Sequence, residues 1–342
     1  IPAGTFELSG IWYIFASDVK ITGAGMWYTN LKFTNPNRFG GGISGGNGSH
    51  GPDGYCNNVE ICNLYLNSNL RSRHNQQAVY KCFMDVFKGG SVIHHVWEDH
   101  FECGFWIGDY NGKVDYSNGV KIISCRIRNN FADGVNFCQG TSNATVYNCS
   151  VRNNGDDGLA MWNDETMGAM DEKNNTFAYN TIELIWRAGG IAIYGGDGHK
   201  IYNNYIADMF MAAGIHLNDV FPGPKYKNTQ KISFDNNVLV RCGTNDDSWH
   251  EDLAAIDIKG GVRNVVFNNT KIYDSPFDAI RVMSGPTGIE FKNTEILGAS
   301  LAGQTTKYST WEHSTGAIRL DVDGVKFSNG IKIANVSEDK IK

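Results

Sequence analysis

The sequence predicts an all-β chain wound as a parallel β-helix. Three observations carry that expectation: a short phrase that recurs eight times, a preferred spacing of twenty-four residues between copies, and Asn-rich punctuation out of phase with it. The phrase is a small residue followed by an apolar, a variable and another apolar residue. It reads Cys103-Gly104-Phe105-Trp106-Ile107, Asp133-Gly134-Val135-Asn136-Phe137, Asp157-Gly158-Leu159-Ala160-Met161 and Gly189-Gly190-Ile191-Ala192-Ile193. It continues as Ala213-Gly214-Ile215-His216-Leu217, Ala254-Ala255-Ile256-Asp257-Ile258, Asp278-Ala279-Ile280-Arg281-Val282 and Gly316-Ala317-Ile318-Arg319-Leu320. Gly134 to Gly158, Gly190 to Gly214 and Ala255 to Ala279 are each twenty-four residues, and the other gaps are longer, so insertions fall between copies.

Each element follows from the same pattern. Short runs alternating apolar and other residues, rich in Val, Ile, Tyr and Phe and bounded by Gly and Asn, read as strands rather than helices. One coil of such strands cannot bury its apolar face alone, so copies stack, and loops lengthen on the side where function sits. A sandwich or propeller also has many short strands, but propeller blades need about 40 residues throughout. The second phrase, an aromatic followed closely by Asn, occurs at Tyr147-Asn148, Tyr179-Asn180, Tyr202-Asn203, Phe234 to Asn236, Phe267-Asn268, Phe291 to Asn293 and Phe327 to Asn329. Asn tolerates left-handed turn geometry and can hydrogen-bond its copy in the next coil, so this column is expected to mark a stacked corner.

Composition sets outer limits. The 342 residues, 41% hydrophobic with 40 glycines, suit one elongated solenoid domain spanning 1–342. The abrupt strand-like start at Thr5 to Leu8 suggests a trimmed domain with flanking modules elsewhere. No long apolar run or targeting segment is evident, so a soluble chain is expected. A net charge of −6 argues against nucleic acid or an anionic polysaccharide as partner and favours a neutral ligand. The eight cysteines lack zinc spacing, because no C-x-x-C pair occurs and the histidines are scattered, so no metal-ligating residues are expected. Cys125 and Cys149, twenty-four apart, form either a buried thiol ladder or a disulfide.

The chemistry is expected at Asp133, Asp156 and Asp157. Stacked strands lie about 4.8 Å apart, so Asp133 and Asp157 in one column should be neighbours with Asp156 beside them. Like charges at that range cannot all ionise: one carboxyl should be raised and act as an acid while another stays a carboxylate base. Glycosidic cleavage requires such a pair, inversion at about 6.5 to 9.5 Å and retention at about 5 Å, and backbone spacing leaves both open. An Asp-Gly pair can also be a structural turn or a calcium ligand. Asp278, in the same column several coils on, is expected to stay outside the centre.

Positions two and four after the column's Gly or Ala should point outward. They are Trp106, Asn136, Ala160, Trp162, Ala192, Tyr194, His216, Asn218, Asp257, Lys259 and Arg281. Aromatic faces stack on sugar rings and amides bind hydroxyls, so this strip suits a neutral glycan groove. His216 lies near Asp219 on a following coil. Two polar stretches, Arg71 to Gln77 and Asp99 to Glu102, are candidates for subsite loops, and Gly-rich Phe39 to Tyr55 reads as a mobile loop.

Longer phrases carry a family resemblance. Leu70-Arg71-Ser72-Arg73-His74-Asn75-Gln76-Gln77-Ala78-Val79-Tyr80, Trp97 to Trp106, Asp133 to Gly140, Asn154 to Trp162 and Gly23 to Thr29 resemble the catalytic domain of glycoside hydrolase family 87, the bacterial α-1,3-glucanases and mycodextranases. The resemblance implies a right-handed parallel β-helix, secretion, and endo-hydrolysis of α-1,3-glucan with inversion. More remotely the chain resembles dextranases and polygalacturonases, by which analogy Asp156 is the acid while Asp133 and Asp157 orient and deprotonate water. The polygalacturonase basic motif is approached only at Asp257-Ile258-Lys259, which favours a neutral glucan. The substrate-binding candidates are thus Asn136, Gln139, Trp162, Tyr194, His216, Asp219, Trp106 and Lys259. No cofactor is required, a structural Ca2+ is allowed, and a monomer is expected. A dextranase- or nigeranase-type hydrolase, a non-catalytic glycan-binding β-helix and a calcium-dependent lyase are the alternatives.

Overall fold

The computed structural model describes residues 1–47, 50, 53–68, 79–108, 116–167, 170–222, 226–247, 249–300 and 317–336. The polar run from Arg71 to Gln77 and Gly316 lie outside them. The chain winds as a parallel β-helix whose typical coil holds three short strands. One coil comprises Lys121–Ile123, Arg126–Arg128 and Val135–Cys138; the next comprises Thr145–Tyr147, Ser150–Arg152 and Leu159–Trp162. The strands of the recurrent phrase pair in parallel with their copies: Val135 with Leu159, Leu159 with Ile191, Ile191 with Ile215, Ile215 with Ile256, and Ile256 with Ile280. The recurrent sequence phrase is therefore one face of the solenoid, an 11-stranded sheet.

The apolar positions of that phrase stack inside. Val135, Phe137, Leu159, Met161, Ile191, Ile193, Ile215 and Leu217 are all fully buried. On an opposite wall Phe234, Phe267 and Phe291 lie ring on ring, with centroids 4.6 Å apart at each step. Copies in register must stack like on like, so the core is a set of one-residue ladders.

The corners differ from expectation in one detail. There are two Asn columns, adjacent in sequence, rather than one. Asn148, Tyr179, Asn203, Asn236, Asn269 and Asn293 take the left-handed backbone of the corner. The following position is buried and bonded across coils: Asn180 Nδ2 donates to Asn204 Oδ1 and Asn204 Nδ2 to Asn237 Oδ1, each at 3.0 Å. In Tyr179-Asn180 the aromatic itself turns the corner, and in Phe267-Asn268 the turn falls one residue later. A buried amide that chains to its copies satisfies backbone groups the bend leaves open.

Two further expectations are corrected. The Gly-rich segment from Phe39 to Tyr55 is partly built into the solenoid: Ile43–Ser44 pairs with Trp12–Tyr13 and Phe83–Met84, and Ile43 is fully buried. A Cβ at Gly41 would meet the Tyr80 ring at 2.6 Å, so that glycine serves close packing rather than mobility. All eight cysteines are buried free thiols, and Cys125 and Cys149 form the thiol ladder, with Cys125 N donating to Cys149 Sγ at 3.4 Å.

Candidate active site

Asp133 and Asp157 end the turns that lead into Val135–Cys138 and Leu159–Trp162, so register alone places them on neighbouring rungs. Asp156 turns to the same side, its N–H donating to Ala132 O at 3.1 Å. Carboxylate oxygens of Asp133, Asp156 and Asp157 all lie within 4.8 Å of one another. On the next rung the column residue is Gly189, whose N–H donates to Asp157 Oδ1 at 2.8 Å. A Cβ there would stand 3.2 Å from that oxygen, so the missing side chain makes room for the carboxylate. Tyr194 OH donates to Asp157 Oδ2 at 3.1 Å, and the Asn136 side chain hydrogen-bonds the Asp133 carboxyl.

Electrostatics follow from crowding. Burial, then the nearby Asp156 charge, pushes Asp133 up to about 8. Burial, Asp156 and Asp133 together raise Asp157 well above the usual carboxylate range. Asp156 is the least covered of the three and meets Arg187, whose Nη2 lies 2.5 Å from Asp156 Oδ2. The guanidinium rests 5.5 Å from the Phe131 ring centroid. Burial thus shifts Asp133 and Asp157 toward their protonated forms, while Asp156 pairs with Arg187.

The outward strip follows the expected order. Trp106, Asn136, Ala160, Ala192, His216, Asp257 and Arg281 form one rung-by-rung column, and Cys138 and Trp162 begin the next. Its exposure does not match expectation: Asn136, Ala160, Trp162, Ala192, Asn218, Asp257 and Arg281 are buried. The insertions between copies fold back over the strip. Phe221 stacks on Trp162 at 4.6 Å and meets Tyr194 at 5.4 Å. Gln139 is buried, its Nε2 3.3 Å from Met167 Sδ, while Trp106 lies 6.1 Å from Trp162 with Lys81 Nζ over its ring at 5.1 Å.

Four of the named residues lie against the aspartates or their immediate wall: Asn136, Tyr194, Trp162 and His216. His216 packs 5.9 Å from the Tyr194 ring, and burial pulls its pKa down to about 4, so the imidazole is neutral. Asp219 and Lys259 are directed elsewhere. The Asp219 carboxylate packs beside Gly260 and Gly261, and Lys259 pairs with Glu251 in a cavity of about 320 Å³ also lined by His250, Asp252 and Arg281. That cavity adjoins Ile256–Ile258, three rungs beyond Leu159–Trp162, or roughly 14 Å at one strand spacing each. Asp278 is buried one rung further.

Sequence reading missed Arg187, Gly189 as a donor, and Phe221. Arg187 precedes a phrase copy by two residues and carries no motif; only the coil register, which sets it near Asp156, reveals it. The stretch from Asp99 to Glu102 holds scaffold contacts: Asp99 meets His100 at 2.7 Å and Glu102 meets Lys81 at 2.5 Å.

Two groups of side chains among the described residues could hold a metal ion: the three aspartates, and Glu60 with Cys62 and His94. Arg187 already supplies a positive charge beside the first.

Residues 1–275 match the family described as alpha-1,3-glucanase catalytic domain D2. The chain belongs to the α-1,3-glucanase catalytic-domain family. Among solved structures it is similar to the Agl-KA catalytic domain, at 42% identity and a TM-score of 0.88, over 98% of this chain and 59% of that one. An Asp-to-Ala variant of a glycoside hydrolase family 87 α-1,3-glucanase catalytic domain in complex with tetrasaccharides superposes with a TM-score of 0.71 at 22% identity, covering 99% of this chain and 61% of that one. A family 87 α-1,3-glucanase catalytic domain in complex with nigerose gives 0.66 at 22% identity, with 99% and 61% covered. The chain thus spans about three fifths of the length of the catalytic domains it matches. No curated protein matches it.

Proposed function

We propose that the chain hydrolyses internal α-1,3-glucosidic linkages of α-1,3-glucan with inversion, using Asp133, Asp156 and Asp157. One observation carries the reading: three carboxyl groups within 4.8 Å of one another, two of them buried and raised above the usual range. Family membership supports the glycosidase chemistry, and the nigerose and tetrasaccharide complexes of similar domains support a neutral gluco-oligosaccharide ligand.

The steps follow from proton economy. Two oxygens roughly 4.5 Å apart can both accept from one water at about 2.8 Å each, so Asp133 and Asp157, with oxygens within 4.8 Å of each other, can hold the attacking water. Asp156, in contact with Arg187, must then carry the acid proton when the bond breaks. Sugar entering beside Asp156 displaces Arg187, and the proton held on Asp133 passes to Asp156. That leaves a carboxylate base on Asp133 and an acid on Asp156. Water attacks the anomeric carbon and gives its proton to Asp133, while Asp156 protonates the departing glycosidic oxygen as the C–O bond breaks. Tyr194 and Gly189 N–H keep Asp157 oriented.

A double displacement with retention is the second reading, because the short carboxyl separation is nearer the roughly 5 Å that route uses. Either route needs only water, so no cofactor is invoked, and structural Ca2+ is not part of the chemistry. A polymeric neutral substrate also favours a secreted monomer that engages neither nucleic acid nor membrane. No helix among the described residues is long and apolar enough to cross a membrane.

The test is incubation with α-1,3-glucan and with dextran, following product size and anomer by NMR. Oligosaccharides from α-1,3-glucan alone, with the β-anomer appearing first, are expected; α-anomer first selects retention, and cleavage of dextran alone overturns the linkage. Asp133→Asn, Asp156→Asn and Asp157→Asn should each lower turnover by about 10² to 10⁴. Sugar binding without reducing ends from the unaltered chain would leave a glycan-binding β-helix.

A further inference from the structure

We infer that Glu60, Cys62 and His94 form a zinc-type metal site on the outer wall of the solenoid, on a sheet remote from the aspartates in the chain's winding. The strand Glu60–Ser68 lies between Lys20–Thr22 and Val92–Asp99, pairing Thr22 with Cys62 and Cys62 with His94, and Lys20 with Glu60. Ile21, Ile61 and Ile93 form the rung between them, and Ile61 and Ile93 are fully buried. Side chains alternate along a strand, so the polar residues share the opposite, outward face. In later coils the position of Cys62 and His94 carries Ile123, Tyr147, Ala178 and Tyr202. A thiol, an imidazole and a carboxylate meet only at this level of the column.

The distances fit a tetrahedral ion. Glu60 Oε1 lies 3.7 Å from Cys62 Sγ and 2.9 Å from His94 Nε2, and all three ligand atoms fall within 4.8 Å of one another. With Zn–S of about 2.3 Å and Zn–N or Zn–O of about 2.1 Å, tetrahedral ligand pairs should be about 3.4 to 3.6 Å apart. Small side-chain rotations therefore suffice. Three protein ligands leave a fourth position for water.

The surroundings match what a ligating histidine needs. His94 Nδ1 lies 2.8 Å from His95 Nδ1, so the ring nitrogen turned away from Glu60 already has a partner that can fix its tautomer. Lys20 Nζ and His94 Nε2 both meet Glu60 Oε1, at 2.7 and 2.9 Å, so that oxygen already faces two nitrogen partners. Cys62 is fully buried, but Glu60 and His94 side chains are 37% and 23% exposed, which provides an entrance. Lys20 Nζ, 2.7 Å from Glu60 Oε1 and 55% exposed, is the competing cation and would swing outward as the metal enters. Soft thiolate with imidazole selects zinc over calcium or magnesium.

The chelator-treated full chain is titrated with Co2+, whose thiolate complexes give a sulfur-to-cobalt absorption band. One equivalent should develop the band, and Zn2+ should erase it. His94→Ala and Glu60→Gln should weaken binding at least tenfold, Cys62→Ser should abolish the band, and Lys20→Met should tighten binding. Folding of each variant is checked by its thermal melt, and Asp156→Asn should bind as the unaltered chain does. Absence of a sulfur-to-cobalt band, or a band of undiminished affinity in both His94→Ala and Glu60→Gln, overturns the site.

Discussion

Two buried acidic centres on the same wall of this solenoid are built by the same spacing and have opposite electrostatics. At Asp133 and Asp157, neighbouring rungs both contribute carboxylates, burial is compounded by like charge, and Asp133 rises to about 8. At Asp257 and Arg281, also neighbouring rungs twenty-four residues apart, the second residue is a guanidinium, with Nε 2.5 Å from Asp257 Oδ2. Burial pushes Asp257 up, but the Arg281 charge and hydrogen bond, aided by Lys259, outweigh it and the carboxyl falls below its ordinary value. The repeat fixes where side chains meet; the sign of the next rung fixes what they do.

The sharpest way to break the contrast is to remove the cation. Arg281→Met leaves Asp257 ionisable, buried and without its closest counter-charge, and should cost about 3 to 5 kcal/mol of stability. Urea unfolding monitored by circular dichroism measures this, and a loss under about 1 kcal/mol would mean the pair is not what holds that rung.

A smaller change probes the acidic centre. Gly189→Ala introduces a Cβ 3.2 Å from Asp157 Oδ1 without requiring a left-handed backbone. Displacing the carboxylate should lower turnover on α-1,3-glucan by up to about 10² with little change in melting temperature, since misplacement of a reacting group by about 1 Å has that effect. Unaltered turnover would show that Asp157 needs no fixed position.

The subtlest effect is on pH dependence. Because Asp133 has a folded value of about 8 against an ordinary 3.8, the folded chain holds a proton the unfolded chain has released between those values. Its stabilising contribution is complete below about pH 4 and is lost as pH rises towards 8. Asp257 has the opposite sign, contributing above its unfolded value and losing that contribution in acid. Thermal melts of Asp133→Asn from pH 4 to pH 9 should therefore show a flatter decline than the unaltered chain and a higher melting temperature near pH 8. Parallel curves would argue that Asp133 titrates normally.

Much of the architecture was legible because a solenoid writes itself into sequence as a period. Gly134 to Gly158 and Ala255 to Ala279 became strand neighbours in the expected register, and Asp133, Asp156 and Asp157 converged as their spacing required. The Asn columns were half legible: aromatic-Asn phrases marked the bend, but which of two adjacent residues takes positive φ, as at Tyr179, depends on how the corner amides bond across coils. The outward strip was placed correctly and its exposure misjudged, because the insertions that lengthen some repeats cover it. Arg187 and Phe221 escaped notice for the same reason, being carried on irregular segments between copies.

Local order thus determined the coil, its register and the meeting of three acids, since a strand's neighbours in a parallel stack are set by the repeat. Tertiary structure decided the electrostatics and the cover: which carboxyl faces Arg187, which are buried, and which aromatics close over Tyr194. Those depend on three-dimensional distances between segments with no periodic relation, and electrostatic and burial energies depend on such distances rather than on sequence separation.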